Sequence, residues 1–394
     1  MAINLKSALG GNAVPIGGSV YLADRAVAEG GSPLVEIDGA EYLRSGYLLV
    51  NEEANYPKVF ENFVQPNTDR WQSVTNITAG FTGLAYGNGR TVAVSSTSGK
   101  YAYSDDGINW TAVTGTTAGT LLDVAFGNGV FVAIGQSGKV VTSPDGITWT
   151  VRTSGFSTSD YLNRVIFAKG LFVALGKTSD NRAEIRTSED GVTWTSRYVD
   201  ESQNFTLFDV CIGEVGALYA IGYNDAASGG GTARMCFSVD GLSWTGYYSS
   251  SSGGLAFSGA PSSGAPFNLV SIVYHDGLFV AASQYGYVWT SIDGFNWTYA
   301  GRPTSRTILR LTYLAGLFWL VGLYTVLCSI DGKAWSSYTG FATAGLSFRD
   351  MINTPEGIIV VARQDGGFNT TLDKQVGFEK ARFEGSAVQY MRVK

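Results

Sequence analysis

A seven-residue pattern, Ser-x-Asp-Gly-x-x-Trp, occurs six times along the 394-residue chain. The copies end at Trp110, Trp149, Trp194, Trp244, Trp297 and Trp335. Trp71 lies in a similar local sequence, and with it the successive tryptophans are 39, 39, 45, 50, 53 and 38 residues apart. A period in this range is typical of architectures in which each repeat packs on the next. The repeat therefore constrains the fold class more than any other feature does.

Each box follows an apolar segment, a turn that contains glycine, and a second apolar segment. This signature occurs seven times, beginning at Leu84, Val124, Val165, Val210, Ile272, Leu311 and Met351. The segments are short and β-rich, and four of them per repeat make one blade of a β-propeller. The seventh unit has no box, and we expect residues 70–74 to supply its outer strand. The sequence therefore predicts an all-β, seven-bladed β-propeller of four-stranded blades, closed by strand sharing between the two ends of the chain so that no sheet edge stays open.

The box aspartates allow two interpretations. They are Asp106, Asp145, Asp190, Asp240, Asp293 and Asp331. One interpretation is catalysis or calcium binding. The other is a turn brace, in which the carboxylate accepts hydrogen bonds from nearby backbone N–H groups and the glycine adopts positive φ. Sixfold repetition favours the brace, because an active site needs one special carboxylate.

This pattern resembles the Asp-box (BNR) repeat of sialidases, photosystem assembly factors, sortilin-type receptors and many virion adhesins. The resemblance covers roughly residues 67–372 and implies the propeller fold. It implies no single function, because these families share blades and not chemistry. A sialidase of this kind would have an early Arg-Ile-Pro element, and none occurs in this sequence. We therefore expect no enzymatic activity.

One position of the innermost strands is occupied mainly by charged residues. Alignment of these strands on their turn glycines gives, around the ring, Gly83, Asp123, Arg164, Asp209, Ser271, Arg310 and Asp350. Innermost strands line the axial channel, so these charges should meet near its mouth. They either join neighbouring blades by charge-assisted hydrogen bonds, or Arg164 and Arg310 hold an anionic sugar while an aspartate performs acid chemistry. The first interpretation is favoured because acids neutralise both arginines.

Blade topology places the glycine turns and the boxes on one face, the box face, and the remaining connections on the other, the loop face. The longest loop-face excursions span residues 222–233 and 245–267. The candidate receptor-binding residues there are Tyr161, Tyr223, Asn224, Asp225, Tyr247, Tyr248, Phe257, Arg302 and Arg306. Tyrosine offers a flat apolar surface with a polar tip, which suits a sugar ring or a protein epitope. The alternative is that residues 249–264 form a linker only.

The two ends lack the repeat. We expect residues 1–66 to form a small β-rich module for virion attachment, residues 67–380 the propeller, and residues 381–394 a last strand or tail near the N-terminal module. Residues 41–46 (Glu-Tyr-Leu-Arg-Ser-Gly) and 55–60 (Asn-Tyr-Pro-Lys-Val-Phe) resemble segments of phage tail-fibre and tail-collar proteins. That resemblance implies a role on a virion.

Composition excludes several classes of function. A net charge of −6 without a basic block disfavours nucleic acid. Three cysteines and one histidine, His275, supply neither a disulfide framework nor zinc-site spacing. No run of 18 apolar residues and no signal-peptide pattern occurs. We expect no cofactor, no metal and no membrane insertion.

These features together predict a tail fibre or adhesin of a tailed bacteriophage. It would be made in the host cytoplasm without a signal peptide, assemble with other virion tail proteins as a multimer, and bind a host surface glycan or protein through its propeller loops. Two alternatives stay open. One is a sialidase-like glycoside hydrolase acting at the channel mouth, and the other is a structural virion hub without host contact.

Overall fold

The structure is a computed structural model. It describes residues 19–21, 34–37, 40–43, 71–74, 77, 79–115, 119–201, 204–224, 232–249, 254–259, 267–338, 345–355, 359–364, 366–371, 378–382 and 389–393. Within these ranges the chain forms β-strands and one short 3₁₀ turn, Glu214–Gly216. No described helix is long and apolar enough to cross a membrane.

Seven antiparallel sheets form a seven-bladed propeller, as the repeat predicts. The innermost strands are Phe81–Gly87, Leu121–Gly127, Tyr161–Ala168, Phe205–Ile212, Leu269–His275, Ile308–Leu314 and Phe348–Asn353. The second strands are Arg90–Ser95, Val130–Gly135, Leu171–Lys177, Leu218–Asn224, Leu278–Ser283, Leu317–Gly322 and Ile359–Arg363. The third strands are Lys100–Ser104, Val140–Ser143, Ala183–Ser188, Ala233–Ser238, Val288–Ser291, Thr325–Ser329 and Phe368–Thr371. The outer strands of blades 1 to 6 are Thr111–Thr114, Thr150–Val151, Thr195–Val199, Thr245–Tyr248, Asn296–Gly301 and Ser336–Ser337.

The outer strand of blade 7 comes from the other end of the propeller sequence. Trp71–Val74 pairs antiparallel with Phe368–Thr371, in a register that places Val74 opposite Phe368. The Phe368 ring stacks on Phe81 and Trp110 of blade 1, with centroid distances of 4.5 Å and 3.9 Å. The predicted closure by strand sharing is therefore confirmed, and it joins the last blade to the first.

The box explains why neighbouring blades pack closely. In blade 2, Gly146 has a φ of 73°, and a Cβ there would lie 2.4 Å from Val92 Cγ2 of blade 1. Only glycine tolerates both conditions. The Trp149 ring stacks on Tyr101 of blade 1 with centroids 4.8 Å apart. Buried side chains of adjacent blades thus form a shared core at each interface.

Blade 5 departs from the predicted four strands. A fifth strand, Ala256–Ser258, pairs parallel with the outer strand Asn296–Gly301. The excursion predicted over residues 245–267 is therefore not all loop, because it begins with the outer strand Thr245–Tyr248 and contains this added strand. A three-residue parallel edge strand depends on tertiary pairing, which local sequence does not encode.

The chain ends form two small sheets. Gln389–Val393 pairs antiparallel with both Ser19–Tyr21 and Phe378–Arg382, so a C-terminal strand does lie beside an N-terminal one. Leu34–Ile37 and Ala40–Leu43 form a hairpin. The expected boundary after residue 380 falls inside Phe378–Arg382. Most of residues 1–66, including 44–60 with the second tail-fibre-like segment, lies outside the described residues.

Candidate functional site: the channel ring and the loop face

Every innermost strand carries a β-bulge at the same place. The register against the second strand shifts at Phe81/Gly83 in blade 1, and an equivalent shift occurs in each of the other six blades. A bulge bends the strand and redirects the side chains beside it. The residues that follow the shift are the seven positions aligned from the sequence, and they lie toward the loop face.

Four ion pairs connect the five charged members of this ring. Arg164 lies 2.9 Å (Nη1) from Asp123 Oδ2 and 3.0 Å (Nε) from Asp209 Oδ1. Arg310 lies 3.2 Å (Nε) from Asp350 Oδ1 and 3.6 Å (Nη1) from Asp209 Oδ1. The structure therefore brings all five charged residues together, in the alternating order expected.

The same carboxylates also accept hydrogen bonds from the backbone of the next blade. The N–H of Val165 donates to Asp123 at 2.9 Å, and the N–H of Leu84 donates to Asp350 at 2.9 Å. Asp209 accepts from the N–H of Ile272 at 3.0 Å. Each carboxylate thus joins two blades, which is the geometry of a structural clasp.

Ser271 performs the same task in blade 5 with a hydroxyl group. Its Oγ donates to Asp209 and accepts from the N–H of Leu311 at 2.9 Å. Blade 1 has Gly83 at this position, where a Cβ would lie 2.8 Å from Asp123 Cα. The glycine is therefore needed for the close approach of the first two blades.

Three carboxylates and two guanidinium groups leave the ring one negative charge in excess. Burial raises the pKa of Asp350 to about 7, because the stabilisation by Arg164 is offset in part by the nearby Asp123. Burial also raises the pKa values of Asp123 and Asp209, against the opposing effect of Arg164. One shared proton near neutral pH would balance the ring, as expected for buried coupled acids.

A second layer of side chains lies one residue before the ring. It comprises Thr82, Leu122, Asn163, Phe208, Val270, Leu309 and Arg349. Except for the buried Thr82, these residues are half-buried. We call them the mouth layer. Sequence reasoning did not single them out, although the alignment that gave the ring also places them.

Of the predicted receptor-binding residues, several lie in packed positions. Tyr223 is buried, stacks on Phe208 with centroids 4.8 Å apart, and donates its hydroxyl to Gln284. Tyr248 lies on an outer strand, where its ring lies 4.0 Å from the Arg234 guanidinium carbon. Half-buried Asn224 ends the second strand of blade 4, and Asp225 lies outside the described residues.

The other two aromatic candidates pack against blade 5. Tyr247 contacts Phe295 edge-on with centroids 5.0 Å apart. Phe257 lies on the added fifth strand and contacts Trp289 edge-on at 5.0 Å. Both side chains are only partly buried, so each combines a packing role with some accessible surface.

Three predicted residues are exposed on the loop face, namely Tyr161, Arg302 and Arg306. The Arg302 guanidinium lies 4.7 Å from the centre of the Tyr287 ring, and that of Arg306 lies 5.8 Å from the Tyr324 ring.

Two further tyrosines on this face were missed from the sequence. Tyr285 is 45% exposed and Tyr324 is 46% exposed. Each lies in a connection of only a few residues between the second and third strands, where the sequence shows no excursion from the repeat. We define Tyr285, Tyr287, Arg302, Arg306 and Tyr324 as the tyrosine–arginine patch.

The box aspartates have the contacts of a turn brace. Asp293 Oδ1 accepts hydrogen bonds from Ser291 Oγ and from the N–H groups of Phe295 and Asn296, at 2.8 to 3.0 Å. Burial opposes ionisation, but these donors together lower the pKa of Asp293 to about 2. The same contacts recur in the other five boxes. Within the described residues no cluster of His, Cys, Asp and Glu is suited to a metal ion, and the three cysteines are buried and free.

Solved structures with this fold include proteins of different activity. YCF48 bound to a D1 peptide is 15% identical over 77% of this chain and 95% of its own, with a TM-score of 0.57. A catalytically inactive virginiamycin B lyase from Staphylococcus aureus with quinupristin is 11% identical over 76% and 98%, with a TM-score of 0.60. The WD40 propeller domain of Doa1 is 13% identical over 76% and 94%, with a TM-score of 0.55. At these identities the likeness shows the fold alone.

No protein-family model matches the sequence, and no curated protein matches it. The structural neighbours include both an enzyme and propellers that are not enzymes, so they leave the activity of this chain open.

Proposed function

We propose that this protein is an adhesin of a tailed bacteriophage whose propeller binds a host surface glycan through the loop face. The observation that carries the proposal is the tyrosine–arginine patch. Tyr285 and Tyr324 are almost half exposed in short turns, and arginines lie beside them. Flat rings with adjacent hydrogen-bond donors are suited to sugar rings and their hydroxyl groups.

The positions of the channel-ring carboxylates argue against catalysis, and so favour a binding function. Asp123, Asp209 and Asp350 are only 2 to 3% exposed, and each accepts a backbone N–H from the next blade. A glycoside hydrolase needs two carboxylates that flank the scissile bond and reach the substrate. Groups committed to joining blades are poorly placed for that role.

The virion part of the proposal rests on sequence resemblance. The Asp-box repeat occurs in many virion adhesins, and residues 41–46 and 55–60 resemble tail-fibre and tail-collar segments. A particle that carries many copies would adsorb firmly even if each propeller bound weakly, because linked sites raise the effective concentration of one another.

The test is binding of the full-length chain to bacterial cells and to their isolated surface polysaccharides. We expect saturable binding that falls at least about tenfold in the Tyr285→Ala, Tyr324→Ala double variant, since each ring contact of a tyrosine contributes on the order of 1 kcal/mol. The control is Val215→Ala with Ile292→Ala, two side chains on the box face that are 93% and 78% exposed. Absence of saturable binding by the wild type to cells that intact particles adsorb to would refute the adhesin proposal.

The hydrolase alternative has one observation in its favour, the pKa of about 7 for Asp350, which suits a general acid. Incubation with the bound polysaccharide separates the two functions. An adhesin releases no new reducing ends, whereas a hydrolase releases them and loses this activity on Asp350→Asn or Asp123→Asn substitution. A structural hub differs again, because particles carrying the double tyrosine variant would then assemble poorly instead of adsorbing poorly.

A further inference from the structure

Arg349, in the mouth layer of blade 7, has no acidic partner among the residues that the structure describes. It directly precedes Asp350, is half-buried, and donates from Nε to Gln364 Oε1 at 2.8 Å. The two arginines of the channel ring, Arg164 and Arg310, each form ion pairs with carboxylates. Among the described residues, none supplies such a carboxylate to Arg349.

Leaving a guanidinium partly desolvated without a counter-ion costs free energy. Burial lowers the pKa of Arg349, and the only opposing influence comes from the phenol of Tyr161 on blade 3. No ring acid forms an ion pair with Arg349, because Asp123, Asp209 and Asp350 face Arg164 and Arg310. A bound anion would remove this cost, so binding of a negatively charged group beside Arg349 is favourable.

The other members of the mouth layer include both polar and apolar side chains. Asn163 donates its amide to the Leu207 carbonyl at 2.8 Å, and no described residue donates to its Oδ1. Tyr161, two residues before Asn163 on the same strand, accepts a hydrogen bond at its hydroxyl from Gln136. Phe208 and Leu309 are half-buried and apolar. The mouth layer thus combines one cation that has no acidic partner among the described residues with polar and apolar side chains.

We propose that the channel mouth binds an acidic sugar, and that Arg349 receives its carboxylate. The two Nη groups of a guanidinium match the two oxygens of a carboxylate. A single carboxylate suits the site better than a phosphate dianion, because the ring beneath already has an excess of acid. A sugar ring also presents an apolar face to Phe208 and hydroxyl groups to Asn163 and Tyr161. The inference rests on the proposed function, since it names the chemical class of the receptor.

The test uses ligand-observed saturation-transfer NMR on the full-length chain with D-glucuronate as the probe. D-glucose is the uncharged analogue, and N-acetylalanine represents the carboxylate of a peptide terminus. We expect saturable transfer to glucuronate, little to glucose, and a loss of glucuronate affinity of at least about tenfold in Arg349→Gln. Arg349→Lys keeps the positive charge but not the two parallel N–H donors of the guanidinium group, so its loss of glucuronate affinity should be smaller than that of Arg349→Gln.

The matched control is Arg197→Gln. Arg197 is also half-buried and also donates from Nε to one neutral acceptor, Thr187 Oγ1 at 2.8 Å, but it lies on an outer strand. The glucuronate affinity of the Arg197→Gln variant should equal that of the wild type. Thermal melting of each variant shows whether it is folded. Equal transfer to glucose, full affinity in a folded Arg349→Gln, or a preference for N-acetylalanine would each overturn the proposal.

A second measurement separates this inference from the adhesin proposal. The wild type is tested against a surface polysaccharide that it binds, before and after chemical reduction of the carboxyl groups. Binding that survives reduction would leave the adhesin in place and overturn the acidic-sugar site. Glucuronate binding without binding to any cell or polysaccharide would support the site and refute the adhesin.

Discussion

At the scale of single residues, one carboxylate per box fixes a tight turn. In blade 1, Asp106 accepts from the N–H groups of Ile108 and Asn109 at 2.8 and 2.7 Å, whereas its neighbour Asp105 forms only an ion pair with Arg90 in which its side chain is 64% exposed. We expect Asp106→Ala to lower the free energy of unfolding by about 1 to 2 kcal/mol, as for other side chains that cap backbone N–H groups.

Asp105→Ala is the matched control, and it should cost under about 1 kcal/mol because exposed ion pairs contribute little. Chemical denaturation measures both. Hydrogen bonds hold the pKa of Asp106 below its usual range despite some burial. The stability that the Asp106 carboxylate contributes is therefore present above pH 4 and lost as the pH falls through its lowered pKa. The difference in free energy of unfolding between the wild type and Asp106→Ala should thus become smaller in acid. Equal costs for the two variants would contradict the brace.

Asp350 should show the opposite dependence on pH. Burial raises its pKa to about 7, so the folded protein holds a proton that the unfolded chain releases near pH 4. Stability from this group is complete below pH 4 and lost as the pH rises toward 7. Denaturation of the wild type and of Asp350→Asn should show that the variant's loss in free energy of unfolding becomes smaller by up to about 4 kcal/mol as the pH rises from 4 to 8. A deficit that widens as the pH rises would mean that Asp350 is ionised and stabilised by Arg310.

At the scale of strands and turns, the sequence predicts whatever is repeated. Seven glycine turns and six boxes fix the number of blades, and the spacing of Asp123 and Asp350 from their turns locates the ring. The fifth strand of blade 5 could not be predicted, because residues 249–264 are mostly Ser, Gly and Ala and Phe257 packs against Trp289 of another segment. Features that occur once depend on tertiary contacts.

The same distinction explains the candidate site. Tyr248 belongs to a loop-like stretch in sequence, but its position is set by Arg234, which itself pairs with Asp200 at 2.6 Å. Arg349 occupies a position visible in the alignment, yet its importance comes from the absence of an acidic partner among the described residues. That absence becomes visible only when the neighbouring blades are in place.

At the scale of the whole molecule, the propeller is a closed ring, and its closure depends on one borrowed strand. The core between blades 7 and 1 contains Val74, Ile77 and Ala79 together with Phe81 and Phe368. Two truncations test this dependence. Removal of residues 1–66 keeps Trp71–Val74, whereas removal of residues 1–76 deletes this strand and opens an edge at Phe368–Thr371.

We expect the protein that lacks residues 1–66 to have the same melting temperature as the full chain, because an N-terminal module separate from the propeller can be removed without destabilising it. The longer one should be destabilised by about 3 kcal/mol or more, since it loses the burial of Val74 and a whole strand pairing, and its melting temperature should fall by about 5 °C or more. Calorimetry of both proteins under the same conditions measures the difference. Equal melting of the longer truncation would show that closure is not needed, whereas collapse of the shorter one would show that residues 1–66 belong to the propeller. In a ring, each blade packs on two neighbours, so the loss of one interface weakens both blades that flank it. We therefore expect removal of residues 1–76 to lower the melting temperature and removal of residues 1–66 to leave it unchanged.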